Sequence, residues 1–401
     1  MQKANKSILY IADIHGADLI RRRQIRQNLS FAGYTKVTAL AQALISVGNK
    51  VIISSFGSPA EGTNRFYSGM CESIPQKSQK SLKILYAPAI DNKIFRDFFS
   101  GCCSIIQLPI IFKKYSIEIV IIYNLSIANV LIALESKLFG KKVFFEYEDS
   151  IRIRRSGPKS HFQTWISGLL ELLVRKIASG SICASIELAR DLGVEKSIII
   201  PGVISQDIAE MNDQLIKDKW DGVRPLRFIY AGGMDSSKGI DLFLKALLGM
   251  KLSMPIEMRV CGVGPQEMLI KKLCDASDGQ IKFMGLVPRV VLLESLAWAD
   301  VGINPHRSDI HDGGTWPFKV VEYLAACGIV FCSYTNTIEP NLAARLFLYD
   351  AKSEVDIQRA ILKFIDELPA LFDLASERRL WALQTYGIQA VGVELKELLT
   401  S

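Results

Sequence analysis

Residues 304–328 read NPHRSDIHDGGTWPFKVVEYLAACG, and the passage from strand through loop to helix in this stretch decides the fold. A short apolar run, Val301-Gly302-Ile303, leads into it, and a second, Val330-Phe331-Cys332, leaves it. Between them Asp312-Gly313-Gly314-Thr315 forms a loop able to expose several backbone N–H groups. Pro317 suits the first turn of a helix, where its missing N–H is not needed. The apolar spacing predicts that helix over 318–326. Strand, loop, helix, strand is one parallel βαβ unit.

The same unit repeats in both directions. Upstream, strands are predicted at 227–230, 257–260 and 281–283, and a further one at 346–348, with helices at 240–250, 266–276 and 290–297. From 353 onward the chain reads as helical. A first series of β-rich runs covers 7–12, 51–54, 82–86, 119–123, 142–146, 180–183 and 197–200, with a helix at 38–48 stopped by Gly48. The polar stretch 201–225 separates the two series. The chain therefore divides into a first domain over 1–203, a linker over 204–224, a second domain over 225–375 and a C-terminal helix over 376–401 expected to pack back on the first domain. The fold class is α/β, with two doubly wound Rossmann-like domains facing each other across a cleft. Ligands of such sheets sit beyond the carboxyl ends of the strands, so chemistry is sought in the loops that follow them.

Bulk properties narrow the possibilities. The 401 residues are 49% hydrophobic and 22% charged, a globular composition with ample core. The net charge of +7 suits anionic partners such as phosphate or anionic lipid. The eight cysteines form no CxxC pair and only four histidines accompany them, so reduced thiols are expected, and no metal. The N-terminus shows no secretory pattern, which implies a cytoplasmic location. The apolar stretch 117–139 is interrupted by Asn124, Ser126, Asn129 and Glu135, and reads as a buried strand plus a helix, not a membrane span.

Three strand ends of the second series are rich in glycine. Phe228-Ile229-Tyr230-Ala231 runs into Gly232-Gly233, and Lys238 precedes the next helix. Gly262 and Gly264 follow the next strand, and Gly285 the third. Glycines let backbone N–H groups approach phosphate oxygens, a helix start favours an anion, and a lysine adds a point charge. Glu322 lies near the start of the helix predicted at 318–326, where a carboxylate can accept both hydroxyls of a ribose. Lys319 shares its face. A plain Lys319–Glu322 ion pair is the alternative reading of those two residues.

In order and spacing, Phe228 to Gly328 resembles the C-terminal domain of GT-B fold glycosyltransferases of the large retaining family 4. The pattern is strand-Gly-Gly-x4-Lys-Gly, Gly-x-Gly-Pro, Phe-x-Gly and Pro-Phe-Lys-x-x-Glu-Tyr-x-Ala-x-x-Gly. Phe31-Ala32-Gly33-Tyr34 and Ile199-Ile200-Pro201-Gly202-Val203 resemble the family in the first half. The resemblance implies sugar transfer from a nucleoside-diphosphate sugar to an acceptor hydroxyl with retention. Lys238 would hold the diphosphate and Glu322 the ribose. Gly313, Gly314 and Thr315 would offer N–H groups to phosphate and sugar. The chain departs from the pattern twice. Gly233 stands where many members have Arg, for which Lys319 is a replacement, and Gly314 stands where the first of two glutamates is usual, for which Asp312 is a substitute.

In the first half, the strand end Tyr147-Glu148-Asp149-Ser150 matches the place where the family brings a His or an acid to the reaction centre. Asp149 and Glu148 are the candidates, with Asp149 favoured as nearer the loop. His15, in Asp13-Ile14-His15-Gly16, is another. Basic clusters from Arg21 to Arg26 and from Arg152 to Lys159, the second followed by Phe162 and Trp165, suit an anionic membrane face. That points to a saccharide or lipid-linked acceptor, a peripheral position on the membrane, and a role in surface polysaccharide or glycolipid synthesis. No module for nucleic acid accompanies the charge. A sugar-nucleotide epimerase of the same fold and a degenerate scaffold are the alternatives.

Overall fold

The computed structural model describes residues 5–25, 31–59, 62–74, 81–92, 95–148, 161–211, 220–307, 318–335 and 337–400. The chain forms two compact units, one of Met1–Ile200 with Ile388–Ser401, the other of Pro201–Gly387.

The first unit runs β1 (Ser7–Ile11), α1 (Ala17–Arg23), α2 (Phe31–Ser46), β2 (Lys50–Ser55), β3 (Phe66–Tyr67), β4 (Met70–Ile74), β5 (Leu82–Tyr86), β6 (Ala89–Ile90) and α3 (Arg96–Tyr115). It continues through β7 (Ile119–Tyr123), α4 (Ile127–Leu138), β8 (Lys142–Tyr147), α5 (His161–Ile177), β9 (Gly180–Cys183), α6 (Ile186–Leu192) and β10 (Ser197–Ile199). Eight strands form one sheet in the order β10-β9-β8-β7-β1-β2-β5-β4. All neighbours are parallel except β4, which runs antiparallel to β5 at the edge. β3 and β6 pair separately. β1, β7 and β8 are near-continuous apolar runs, as strands covered on both faces require. Ser126 and Ser185 cap α4 and α6 by accepting from Asn129 N (3.1 Å) and Leu188 N (3.2 Å).

The second unit runs α7 (Gln206–Ala209), β11 (Leu226–Ala231), α8 (Ile240–Leu248), β12 (Ile256–Cys261), α9 (Glu267–Asp275), β13 (Ile281–Gly285), α10 (Arg289–Trp298) and β14 (Val301–Asn304). Then come α11 (Lys319–Cys327), β15 (Ile329–Ser333), α12 (Pro340–Ala343), β16 (Phe347–Tyr349), α13 (Glu354–Asp373) and α14 (Ala375–Tyr386). Its sheet is parallel throughout, in the order β13-β12-β11-β14-β15-β16. Phe228, Phe243, Phe331, Phe347 and Phe364 fill its centre, with Phe331 and Phe364 edge to face at 5.1 Å. α15 (Ile388–Thr400) belongs to the first unit and packs on α2.

Both sheets are doubly wound. Their strand order reverses between β1 and β7 in one unit and between β11 and β14 in the other, and ligands of this architecture bind at such points. The stretch 117–139 forms β7 and α4, and among the described residues no helix is long and apolar enough to cross a membrane. All eight cysteines are free, although Cys71 is exposed and not buried among apolar residues. The first unit also holds β3, β4 and β6, which the apolar pattern does not announce.

Candidate functional site

At the reversal point of the second unit, the loop after β11 meets the loop after β14. Met234 is fully buried and anchors the first loop. Asp235 accepts from Ser237 N (3.0 Å) and opens a short helical turn, Ser236–Lys238. Gly239 then adopts φ +67°, and a Cβ there would overlap the Pro305 carbonyl oxygen. Arg307 N donates to Ser237 O (3.1 Å) across the same junction. Lys238 emerges half-buried at this meeting point and pairs with no acid among the described residues.

The glycines at the strand ends serve mainly to interlock these loops. Gly262 has φ +139°, and any side chain there would overlap the Gly232 carbonyl; a Cβ at Gly264 would crowd the Met234 backbone. Gly232 N donates to Cys261 O (3.1 Å), Met234 N to Val263 O (3.0 Å) and Gly262 N to Gly285 O (2.8 Å). The Gly232 N–H is thus spent inside the protein. Gly233 differs, being exposed, and a Cβ there would meet only the Asp235 carboxylate at ordinary contact distance.

Glu322 sits in the first turn of α11 and is fully buried. α11 is held under β11 by Tyr323: Ala231 N donates to its oxygen (2.7 Å), and its hydroxyl donates to Ala231 O (3.1 Å). Gly302 on β14 makes room for that ring. The Lys319–Glu322 ion pair is present, at 2.9 Å. Arg289, at the start of α10, stands 3.8 Å from the other carboxylate oxygen. Neither oxygen of Glu322 has a hydrogen bond of good geometry among the described residues. A buried carboxylate in that condition is costly unless hydroxyls or water complete its shell. Arg289 also donates to Asp207 (2.7 and 2.8 Å) and to Ser205 (2.8 Å). Burial opposes the Asp207 charge, but the Arg289 and Ser205 hydrogen bonds prevail and hold its carboxyl below the usual value. Asp312, Gly313, Gly314 and Thr315 lie outside the described residues.

The first unit carries a second constellation at the carboxyl ends of its strands. Glu148 follows β8, with its N–H donating to Asn124 Oδ1 (2.9 Å) and its carboxylate accepting from the Tyr123 hydroxyl. Lys36, buried on α2, reaches Glu146 at 3.2 Å and Glu148 at 3.4 Å. Tyr10 donates to Glu146. Burial, and next the Glu148 charge, raise the Glu146 carboxyl well above its ordinary range. Lys36, Tyr10 and Glu146 do not stand out in the strand-end motifs. The available signal is that Lys36 falls on the apolar stripe of α2 with Leu40, Ala43 and Val47.

His15 is buried in the loop after β1, with Nε2 3.4 Å from Ser58 O, so it is not a solvated side chain. Beside it Gly16 lets the Glu72 carboxylate approach, and Gly16 N donates to the Tyr86 hydroxyl (3.0 Å), which donates to Glu72 (3.1 Å). Asp149, Arg26 and the segment from Arg152 to Lys159 lie outside the described residues. Arg23 turns inward and donates to the carbonyls of Gly57 (2.6 Å) and Ala87 (2.7 Å), while Arg21 and Arg22 are exposed. Arg23 therefore leaves the expected basic surface cluster, because its guanidinium satisfies buried carbonyls. Among the described residues no group of three His, Cys, Asp or Glu could hold a metal.

No protein-family model matches the chain, and no curated protein matches it. Solved structures do. Sucrose-phosphate synthase from Thermosynechococcus elongatus is similar over 99% of this chain and 98% of its own, with a TM-score of 0.65 and 15% identity. A UDP-forming trehalose-phosphate synthase from Burkholderia xenovorans, in complex with glucose-6-phosphate, is similar over 99% and 100%, with a TM-score of 0.66 and 10% identity. HepE from Anabaena, in complex with UDP, is similar over 98% and 99%, with a TM-score of 0.62 and 12% identity. The fold of this chain is the GT-B fold of those glycosyltransferases, with its two Rossmann-like domains.

Proposed function

We propose that this chain is a glycosyltransferase that moves a sugar from a nucleoside-diphosphate sugar to an acceptor hydroxyl, with retention. The observation that carries the reading is Glu322: a fully buried carboxylate beside the reversal point of the second sheet, with neither oxygen given a well-formed hydrogen bond by the described residues. A ribose supplies the two hydroxyls it needs. Lys238, which pairs with no acid among the described residues, provides a cation at the same junction for the diphosphate, and the exposed Gly233 leaves backbone accessible beside it. The fold shared with enzymes crystallised with UDP and glucose-6-phosphate supports the same class of donor and acceptor.

In this reading the transfer rests on stabilising the leaving diphosphate, a task for fixed positive charge and oriented N–H groups. Lys238 supplies the charge. Lys319, which the sequence offers as a replacement for the family's arginine, is bound to Glu322 and orients the carboxylate that receives the ribose instead. On the acceptor side, Glu148 is the described candidate for the group that receives the hydroxyl proton, held in place by Tyr123, Asn124 and Lys36. His15, buried in the loop after β1, is the second. Asp149 and the loop with Asp312 to Thr315 retain their assigned roles as proposals. No metal and no further cofactor enter the reading. The acceptor is a saccharide or a lipid-linked saccharide of surface polysaccharide or glycolipid synthesis, met at the membrane face.

The test is release of nucleoside diphosphate when the chain is incubated with a panel of nucleotide sugars and glycan or glycolipid acceptors. Turnover with one donor is expected, lowered about 100-fold or more by Glu148→Gln if it is the proton acceptor. Absence of turnover and of slow donor hydrolysis across the panel overturns the reading.

A further inference from the structure

Helices α3, α4 and α5 lie side by side on one face of the first sheet. Right-handed crossovers put them there, since each connects strands in the direction from β5 towards β9, while α2 runs the other way and takes the opposite face with α15. Helices in that position ordinarily turn a polar side to water. These do not. On α3, Ile106 and Ile110 point outward, the first 72% exposed, and residues 98–112 carry no charge at all. On α4, Leu131 and Leu138 share an outer stripe, with Leu138 87% exposed. On α5, Trp165 and Leu172 do the same, with Trp165 63% exposed. Each pair is spaced at i, i+4 or i, i+7, so each helix presents one apolar stripe. Three such stripes on neighbouring helices expose apolar area of a kind that marks an interaction site.

Among the described side chains of these three helices, the exposed charges have one sign. Lys113 and Lys114 close α3, Lys137 lies in the last turn of α4, and Arg175 and Lys176 close α5, all exposed. The acids of α4 and α5, Glu135 and Glu171, are half-buried and buried. Because each of these helices leads into the start of a strand, the basic row lies along the amino edge of the sheet, opposite the edge that carries His15 and Glu148. We infer that the α3–α4–α5 face docks on an anionic lipid bilayer. The apolar stripes enter the boundary between headgroups and acyl chains, Trp165 lies at headgroup depth, and the lysine row meets lipid phosphates. A two-fold pairing of this face with a second copy would bring the described exposed charges of its three helices, all basic, towards one another. The inference extends the lipid-linked reading of the acceptor, but it stands on this surface alone.

The experiment is co-sedimentation of the full chain with vesicles of phosphatidylcholine mixed with phosphatidylglycerol, against vesicles of phosphatidylcholine alone. The wild type is expected to pellet with the anionic vesicles and to be released by salt. Ile106→Glu with Leu138→Glu, and separately Lys113→Glu with Lys114→Glu, should each lower partitioning about tenfold or more. Their nucleotide-induced thermal shift, which reads the other unit, should equal that of the wild type and so report an intact fold. A wild type that stays in the supernatant, or charge-reversal variants that bind like it, overturns the inference. So does a wild type that ignores vesicles but sediments as a dimer broken by Ile106→Glu with Leu138→Glu, which assigns the face to a second copy. A donor-binding failure with intact vesicle binding would leave this surface standing and remove the transferase reading alone.

Discussion

Glu322 and Glu146 are both buried carboxylates, yet their surroundings give them opposite tasks. Glu322 has cations on two sides, Lys319 at 2.9 Å from one oxygen and Arg289 at 3.8 Å from the other. Glu146 is enclosed in apolar strand residues and faces a second carboxylate, Glu148, with Lys36 between them. Its raised pKa makes a prediction about pH. A carboxyl whose folded pKa exceeds its unfolded value binds its proton more tightly when folded. Its stabilising contribution is complete below the ordinary value of 4.5 and is lost as pH rises through the raised one. Glu146→Gln keeps the neutral form throughout. The melting temperature of the variant relative to wild type should therefore improve steadily from about pH 4.5 upward, and a difference independent of pH would contradict this. Sequence reasoning reached Glu322 and Glu148 because each follows a recognisable strand or helix boundary. It did not reach Lys36 or Arg289, whose meaning depends on partners far away along the chain: Glu146 for one, Asp207 and Glu322 for the other.

The central parallel strands such as β1, β7 and β8 could be read from sequence because burial on two faces removes polar alternation and leaves near-continuous apolar runs. β4 escaped because it does the reverse: Met70–Ile74 places the buried Glu72 at its centre, where the carboxylate serves Tyr86 and the start of α1. The glycines were legible as strand ends, but their purpose was only partly so. Loop-to-loop packing, more than exposure to a ligand, fixes Gly262 and Gly264. Gly262→Ala should cost at least about 3 kcal/mol, since it combines a left-handed conformation with overlap on the Gly232 carbonyl. Gly279 also has a positive φ, +86°, but open space around it, so Gly279→Ala should cost only about 1–2 kcal/mol. Chemical denaturation of the two variants checks the contrast. Equal losses would mean that backbone conformation alone, and not the interlocked loops, requires glycine at 262.

At the scale of the whole chain, two doubly wound units with reversal points at β1/β7 and β11/β14 give a GT-B fold, and the order of motifs from Phe228 to Gly328 had already implied it. What the motifs could not convey was the surface. Exposure of Ile106, Leu138 and Trp165 follows from which way each crossover turns, and an apolar residue in a helix reads the same whether it faces a core or a bilayer. The central claim nevertheless rests on the second unit, whose folded loops bring Lys238 and Glu322 to one reversal point. Isothermal calorimetry of the full chain with UDP, GDP and ADP tests it most directly. The account predicts binding of at least one of these nucleotides, weakened about 100-fold by Glu322→Ala through loss of two hydrogen bonds to a charged group, and weakened also by Lys238→Ala. Absence of binding to all three, or affinities left unchanged in both folded variants, would contradict it.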